Sequence, residues 1–228
     1  MNFVKIKSYA KINLALNVTG KKTKLHKIES IISFIDLHDI IYLRQINKKN
    51  HKVSFSGKFS KNINKINTVT TLLKLLDQKK FLSDKKFEIK IIKNIPQMAG
   101  MGGGSMNAAT LINFLINKKI LKLKNNELTK LVNQISSDVI LGINPTNTIL
   151  SSNGKIKRYS KNIKFYVLVV KPSFGCSTEY VYSKVKSFSK SQFSFPKKKM
   201  FKTEYLKLYN NDLEKIAFKK YPKLRKIK

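Results

Sequence analysis

The chain has 228 residues, 42% of them hydrophobic, with 47 basic and 12 acidic side chains and a formal net charge of +35. That apolar share supplies a packed core and excludes a disordered or low-complexity chain. A single cysteine, Cys176, excludes an internal disulfide, and no apolar run approaches the roughly 18 residues of a membrane span, so a cytoplasmic protein with no membrane partner is expected.

Residues 3–19 alternate polar and apolar and read as one or two strands of the mature protein. Ile28 to Ile35 and Ile40 to Leu43 read as two further strands, with Asp36 to Asp39 as the turn between them, and Val53 to Ser56 as another strand. Asn67 is placed to cap a helix reaching about Leu76, because its side chain can accept from free first-turn amides. Phe87 to Ile92 is a strand that Pro96 terminates. A glycine loop, Ala99-Gly100-Met101-Gly102-Gly103-Gly104-Ser105, then leads into a helix over Asn107 to Ile116. Asn125 or Asn126 caps the next helix, with Leu128, Leu131, Val132 and Ile135 on its apolar face. Strands are expected at 147–152, 155–159 and 165–171, helices at 178–186 and 209–218, and a loop at 185–195. This irregular mixture predicts an α+β fold with a boundary near residue 150.

The charge invites a nucleic-acid reading, but only Arg44, Arg158 and Arg225 among the basic residues carry the guanidinium fork that base and phosphate recognition favours. A lysine-coated solvated surface explains the excess better, and it also helps attract a polyphosphate. His26, His38 and His51 show no zinc-ligand spacing with Cys176.

The glycine cluster is the strongest local signal. A strand, a proline, glycines and a helix in that order present backbone amides and a helix N-terminus to an anion. No Gly-Lys-Ser/Thr follows, so it is not a Walker loop. The last glycine of a dinucleotide fingerprint would fall on Ser105, so it is not that motif either.

From Pro96 to Ala109 the segment resembles the phosphate-binding motif of the GHMP kinases. Its triple glycine followed by Ser-x-Asn-Ala-Ala is similar to the diphosphocytidyl-methylerythritol branch. Met101 stands for a usual leucine and Met106 for a usual second serine. Ala10-Lys11-Ile12-Asn13-Leu14 resembles the family's opening strand, and Asp138-Val139 its Gly-Ala-Asp-Val-Pro motif, with Ser136-Ser137 in place of Gly-Ala and Ile140 in place of the proline. His26 matches a cytosine-binding histidine, with Leu25 where an aromatic belongs. Asn67 matches an asparagine beside the adenine, and Pro172, Thr178 and Tyr182 follow in the order of a loop and an aromatic that packs on the cytidine.

The resemblance implies an N-terminal domain like that of ribosomal protein S5 over 1–152 and an incomplete ferredoxin-like domain over 153–228. It implies ATP and Mg2+ as cofactors, and phosphorylation of the 2-hydroxyl of 4-diphosphocytidyl-2-C-methyl-D-erythritol in non-mevalonate isoprenoid synthesis. Lys11 and Asp138 would be catalytic. Pro96, Ala99, Gly100, Met101, Gly102, Gly103, Gly104, Ser105, Asn107 and Asn67 would bind ATP, with Ser105 also on the metal. Asn13, His26, Thr178 and Tyr182 would bind substrate. The chemistry is coherent: a carboxylate accepts the alcohol proton, an ammonium favours alkoxide character, and loop amides neutralise phosphate charge. No glycine follows Gly175, whereas these kinases carry a further glycine-rich motif near the C-terminus, so a truncated chain is expected. The alternatives are another small-molecule kinase of the family, an inactive remnant, or a basic nucleic-acid-binding protein.

Overall fold

The computed structural model describes residues 2–23, 25–159, 163 and 165–227. Contacts group the chain into two compact units. One comprises the chain up to Ala10, Ile35–Gln97 and Met101–Pro145; the other comprises Lys11–Phe34, Met98–Gly100 and the chain from Thr146 onward. Two long strands, β1 (Val4–Lys22) and β2 (Leu25–Ile46), pair with each other and contribute residues to both units.

β2 runs without a break through Asp36 to Asp39, where a turn was expected. The polar cluster misleads because Asp39 is fully buried and satisfied from the side: Lys93 Nζ bonds one carboxylate oxygen, and the Asn94 and Ile95 amides donate to the other at 2.7 and 2.8 Å. A charge held this way costs a strand little.

In the first unit, Ile40–Ile46 of β2 pair antiparallel with β4 (Lys86–Ile92), which pairs in parallel with β3 (Lys52–Ser56). Alternate residues Phe87, Ile89 and Ile91 face a core shared with Ile41 and Leu43. Helix α1 (Thr68–Gln78) adds Val69, Leu72, Leu73 and Leu76 to that core. Its start is as expected: Asn67 Oδ1 accepts from the Val69 and Thr70 amides at 3.1 and 3.2 Å, and Thr70 Oγ1 accepts from the Asn67 amide at 2.9 Å.

Helix α2 (Gly103–Asn117) begins earlier than the sequence predicts, winding Gly103 to Met106 into its first turn and burying Ala108, Ala109, Leu111, Ile112 and Leu115. Helix α3 (Asn125–Ile135) is capped one position before the expected asparagines, where the Lys124 amide donates to the Glu127 carboxylate at 2.8 Å. A short 3-10 turn, Val139–Gly142, packs on α2 so tightly that a Cβ on Gly142 would lie 2.6 Å from Ala109 Cβ.

In the second unit, Ser30–Ile32 of β2 pair antiparallel with β5 (Thr148–Leu150), which forms a hairpin with β6 (Ile156–Arg158). Ala15, Ile31, Ile149, Phe193 and Phe201 make its core. The buried Glu29 carboxylate accepts from Asn17 Nδ2, Ser191 Oγ and the amides of Gln192 and Phe193, fixing the 191–193 loop on the strands. Helix α4 (Thr178–Ser183) is shorter than expected. A single helical turn, α5 (Thr203–Leu206), precedes the segment expected to form a helix over 209–218. That segment first docks on β1, with Leu16 donating to the Asn210 carbonyl at 3.1 Å and Asp212 to the Leu16 carbonyl at 2.9 Å. It then turns into α6 (Glu214–Lys220). The expected strand over 165–171 is not formed among the described residues. Tyr166, Leu168 and Val170 are exposed, while Phe165 packs on the core.

Candidate active site

Three residues of the glycine segment, Met98, Gly100 and Gly102, have φ of 52°, 70° and 66°. The left-handed region is one that glycine enters without strain, and Gly100 and Gly102 both occupy it. Gly102 is the N-cap of α2 and has no side chain to accept from the first-turn amides. Those amides, with the positive end of the helix dipole behind them, suit a phosphate. The segment is anchored upstream by the Asp39 carboxylate, which holds Lys93, Asn94 and Ile95 just before the buried Pro96.

Two contacts join the first turn of α2 to neighbours in the same unit. Thr68 Oγ1 at the start of α1 donates to the Gly104 carbonyl at 2.7 Å, which brings the Asn67-capped end of α1 beside the glycines. Ser105 Oγ donates to Ser136 Oγ at 3.2 Å, and Ser136 Oγ also accepts from the Asp138 amide at 3.4 Å. The structure thus collects Asn67, the Gly102–Ser105 turn and Asp138 in one unit. Asn107 lies in the same helix, but its side chain is only 1% exposed and both of its amide atoms lack a hydrogen-bond partner among the described residues. Its side chain is turned away from solvent.

In the second unit, Lys11 is 6% exposed on β1, and its ammonium donates to Asn13 Oδ1 at 3.3 Å. Asn13 Oδ1 also accepts from Ser30 Oγ at 3.3 Å, so a strand pair fixes the two side chains on one face. His26 and Tyr182 come together, with ring centroids 5.3 Å apart and planes inclined by 36°. Thr178 is the first residue of α4, which carries Tyr182; Ser177 caps that helix by accepting from the Tyr180 amide at 3.2 Å. The Met98 carbonyl at the base of the glycine segment accepts from the Cys176 amide at 2.9 Å. Burial pushes the Cys176 thiol above its ordinary pKa.

Sequence reasoning missed Thr68, Lys93, Asp39 and Ser136. Thr68 was legible as the residue beside a cap, but the others declare themselves only through partners distant in sequence. An open cavity of about 550 Å³ lies elsewhere, lined by Arg44, Ile46, Lys48, Lys49, Asn50, Lys52 and Glu88 at the opposite end of β4 from the glycines. None of the expected site residues lines it.

Among the described residues no group of three or more His, Cys, Asp or Glu side chains could hold a metal. A divalent cation here would have to arrive on phosphate oxygens and take one or two protein oxygens, the usual habit of Mg2+. Ser105 Oγ, its proton given to Ser136, fits as one of these.

Residues 67–151 match the family described as GHMP kinases N terminal domain. Over its full length the chain is 65% identical to 4-diphosphocytidyl-2-C-methyl-D-erythritol kinase of Pelagibacter ubique, spanning 81% of that protein. It is 30% identical, over 96% of its length and 78% of the relative's, to the enzyme of the same name from Francisella philomiragia. Among solved structures, a 4-(cytidine 5'-diphospho)-2C-methyl-D-erythritol kinase superposes over 98% of this chain and 81% of its own with a TM-score of 0.67 at 20% identity, which supports the fold.

Proposed function

Because this chain belongs to the 4-diphosphocytidyl-2-C-methyl-D-erythritol kinases of the GHMP group, we propose that it transfers the γ-phosphoryl group of ATP to the 2-hydroxyl of that cytidyl alcohol in non-mevalonate isoprenoid synthesis. The observation that carries this reading is the 65% identity across the whole chain. The uncapped, glycine-lined start of α2 supports its phosphate end.

Each residue has a role that its surroundings allow. The Gly102–Ser105 amides and the α2 dipole hold the β- and γ-phosphates, with Pro96, Ala99, Gly100 and Met101 shaping the approach. Asn67 sits at the head of α1, beside the adenine. Asp138 accepts the hydroxyl proton as the new P–O bond forms, and Lys11 stabilises the developing alkoxide. Asn13 holds the Lys11 ammonium and reaches the alcohol. His26 and Tyr182 recognise the cytosine, the first by hydrogen bonding and the second by its ring face, and Thr178, at the head of the helix that carries Tyr182, also meets the substrate. Asn107, whose buried amide has no hydrogen-bond partner among the described residues, completes the ATP-binding set.

Bound Mg2+ would screen the charge on the phosphates, with Ser105 Oγ as the protein's hydroxyl ligand. We assign residues 1–152 to the N-terminal, ATP-binding domain and 153–228 to the C-terminal domain; the family match ending at residue 151 supports that boundary. No helix of the described residues is long and apolar enough to cross a membrane. A cytoplasmic reaction fits its need for ATP. The scarcity of arginine argues against a specific nucleic-acid partner.

The test is an ATP-dependent phosphorylation assay on the diphosphocytidyl alcohol beside a panel of simple alcohols. Turnover confined to the cytidyl substrate is the expected result. Turnover of another alcohol instead would move the chain to a different kinase activity, and steep salt-dependent nucleic-acid binding with no ATP consumption would overturn the reading.

A further inference from the structure

Ser136 ends α3 in extended backbone with φ of −171°, and its amide is already used by the Val132 carbonyl at 3.1 Å. Its side chain does something separate. The hydroxyl oxygen accepts twice, from Ser105 Oγ at 3.2 Å and from the Asp138 amide at 3.4 Å. One oxygen thereby joins the hydroxyl in the first turn of α2 to the backbone of Asp138.

The direction of the first bond matters. A serine hydroxyl has one proton and two lone pairs. Ser105 spends its proton on Ser136, so what it has left to offer is lone pairs. Lone pairs suit a cation; a phosphate oxygen, itself an acceptor, needs a proton. The next residue, Met106, is buried and has no hydroxyl, so no neighbouring side chain in the turn takes the same part.

We propose that Ser136 is a positioning residue that fixes the polarity and rotamer of Ser105, making Ser105 Oγ a ligand for the divalent cation carried by ATP instead of a hydrogen-bond donor to phosphate. This rests on the kinase reading. Ser136 itself touches neither nucleotide nor alcohol; it acts through Ser105, and its link to the Asp138 amide keeps the two segments in register.

The experiment measures ATP affinity by calorimetry with Mg2+ and again in chelator, for the unchanged chain, Ser105→Ala, Ser136→Ala, Ser136→Thr and the double alanine variant. Thermal unfolding of each reports folding. In Ser136→Ala the gain in ATP affinity that Mg2+ confers should shrink about 5-fold or more, the lower end of ordinary coupling between two ligands. Affinity in chelator should stay within about 2-fold. Ser136→Thr, which keeps the hydroxyl, should restore the gain. The double variant should be no worse than Ser105→Ala, because residues acting as one unit are not additive. A full Mg2+ gain in Ser136→Ala overturns the proposal, as do additive losses in the double variant. If Ser136→Ala does not fold, the proposal stands or falls on whether the threonine variant keeps the gain. If the unchanged chain does not bind ATP, the kinase reading falls and takes this with it, an outcome distinct from ATP binding that Ser136 leaves untouched.

Discussion

Asp39 and Lys93 form a buried ion pair. The side chains are 0% and 6% exposed, and the second carboxylate oxygen of Asp39 accepts the amides of Asn94 and Ile95. The pair thus fixes the direction of the chain between β4 and the glycine segment. Removing one partner leaves a buried charge uncompensated. Asp39→Ala should therefore cost about 3–5 kcal/mol in urea unfolding, whereas a paired replacement of both residues by apolar ones should recover much of that loss. An Asp39→Ala chain as stable as the original would show that solvent reaches Lys93.

Asp138→Asn keeps the shape of the side chain and removes the proposed base. Turnover of the cytidyl alcohol should fall about 10²- to 10⁴-fold, the range for loss of general-base help, with a much smaller change in substrate binding. Lys11→Ala should also lower kcat more than it raises KM. It should lower stability as well, since the Lys11 ammonium is buried against Asn13. Single-turnover kinetics separate these effects. Equal losses in binding and turnover would remove Asp138 from the chemistry.

The His26–Tyr182 contact predicts a split between the two substrates. Tyr182→Ala should raise KM for the cytidyl alcohol and leave KM for ATP unchanged, with a loss of about 0.5–1.5 kcal/mol for the missing ring pair. Leu25, 67% exposed, stands next to His26, and a tyrosine there should lower KM by offering the base a second face. An unchanged KM in Leu25→Tyr would move the cytosine elsewhere.

Stability should also depend on pH through Asp77. Burial alone would raise its pKa, but hydrogen bonds from Lys86 and His51, at 2.8 and 3.2 Å, together with the Lys86 charge, bring it below the ordinary 3.8. His51 Nδ1 accepts the Phe87 amide at 3.0 Å, so Nε2 carries the proton facing Asp77. A carboxylate with a depressed folded-state pKa contributes stability above its unfolded value that is lost as pH falls through the folded one. Urea midpoints should therefore hold above about pH 4 and decline below it. The acid decline should be shallower in Asp77→Asn, and identical profiles would show that the contact contributes nothing.

Local rules carried much of this fold. Alternation marked β4, and a side-chain cap marked α1 to within a residue of its start. The glycine cluster marked the one place where backbone would have to serve as a binding surface. What composition could not show was where a polar residue finds its partner. Asp36 to Asp39 looked like a turn because Asp39's cation lies 54 positions away. The start of α2 was hidden because glycine is a poor helix former, yet Gly103 and Gly104 are tolerated where neighbours crowd them. A Cβ on Gly103 would lie 3.1 Å from Ile95 Cγ2, and one on Gly104 the same distance from Thr68 Oγ1. The glycines stood out in the sequence as a cluster before a helix, while the roles of Lys11 and Asp138 rest on their ordered motifs and are proposals. Ser136 looked like a departure from pattern until its hydroxyl was seen against Ser105.

The segment from Tyr166 to Val170 has a consequence for handling the protein in solution. It is an exposed apolar run of high strand propensity that, among the described residues, pairs with no other strand, and such a run is a template on which another copy can add. Against this stands a net charge of +35, which keeps copies apart while their fields reach one another. Raising salt from 0.1 to 1 M shortens that reach from about 10 Å to about 3 Å. High salt, the usual means of stripping nucleic acid from a basic protein, would thus weaken the repulsion between copies of this chain and favour their addition through this segment.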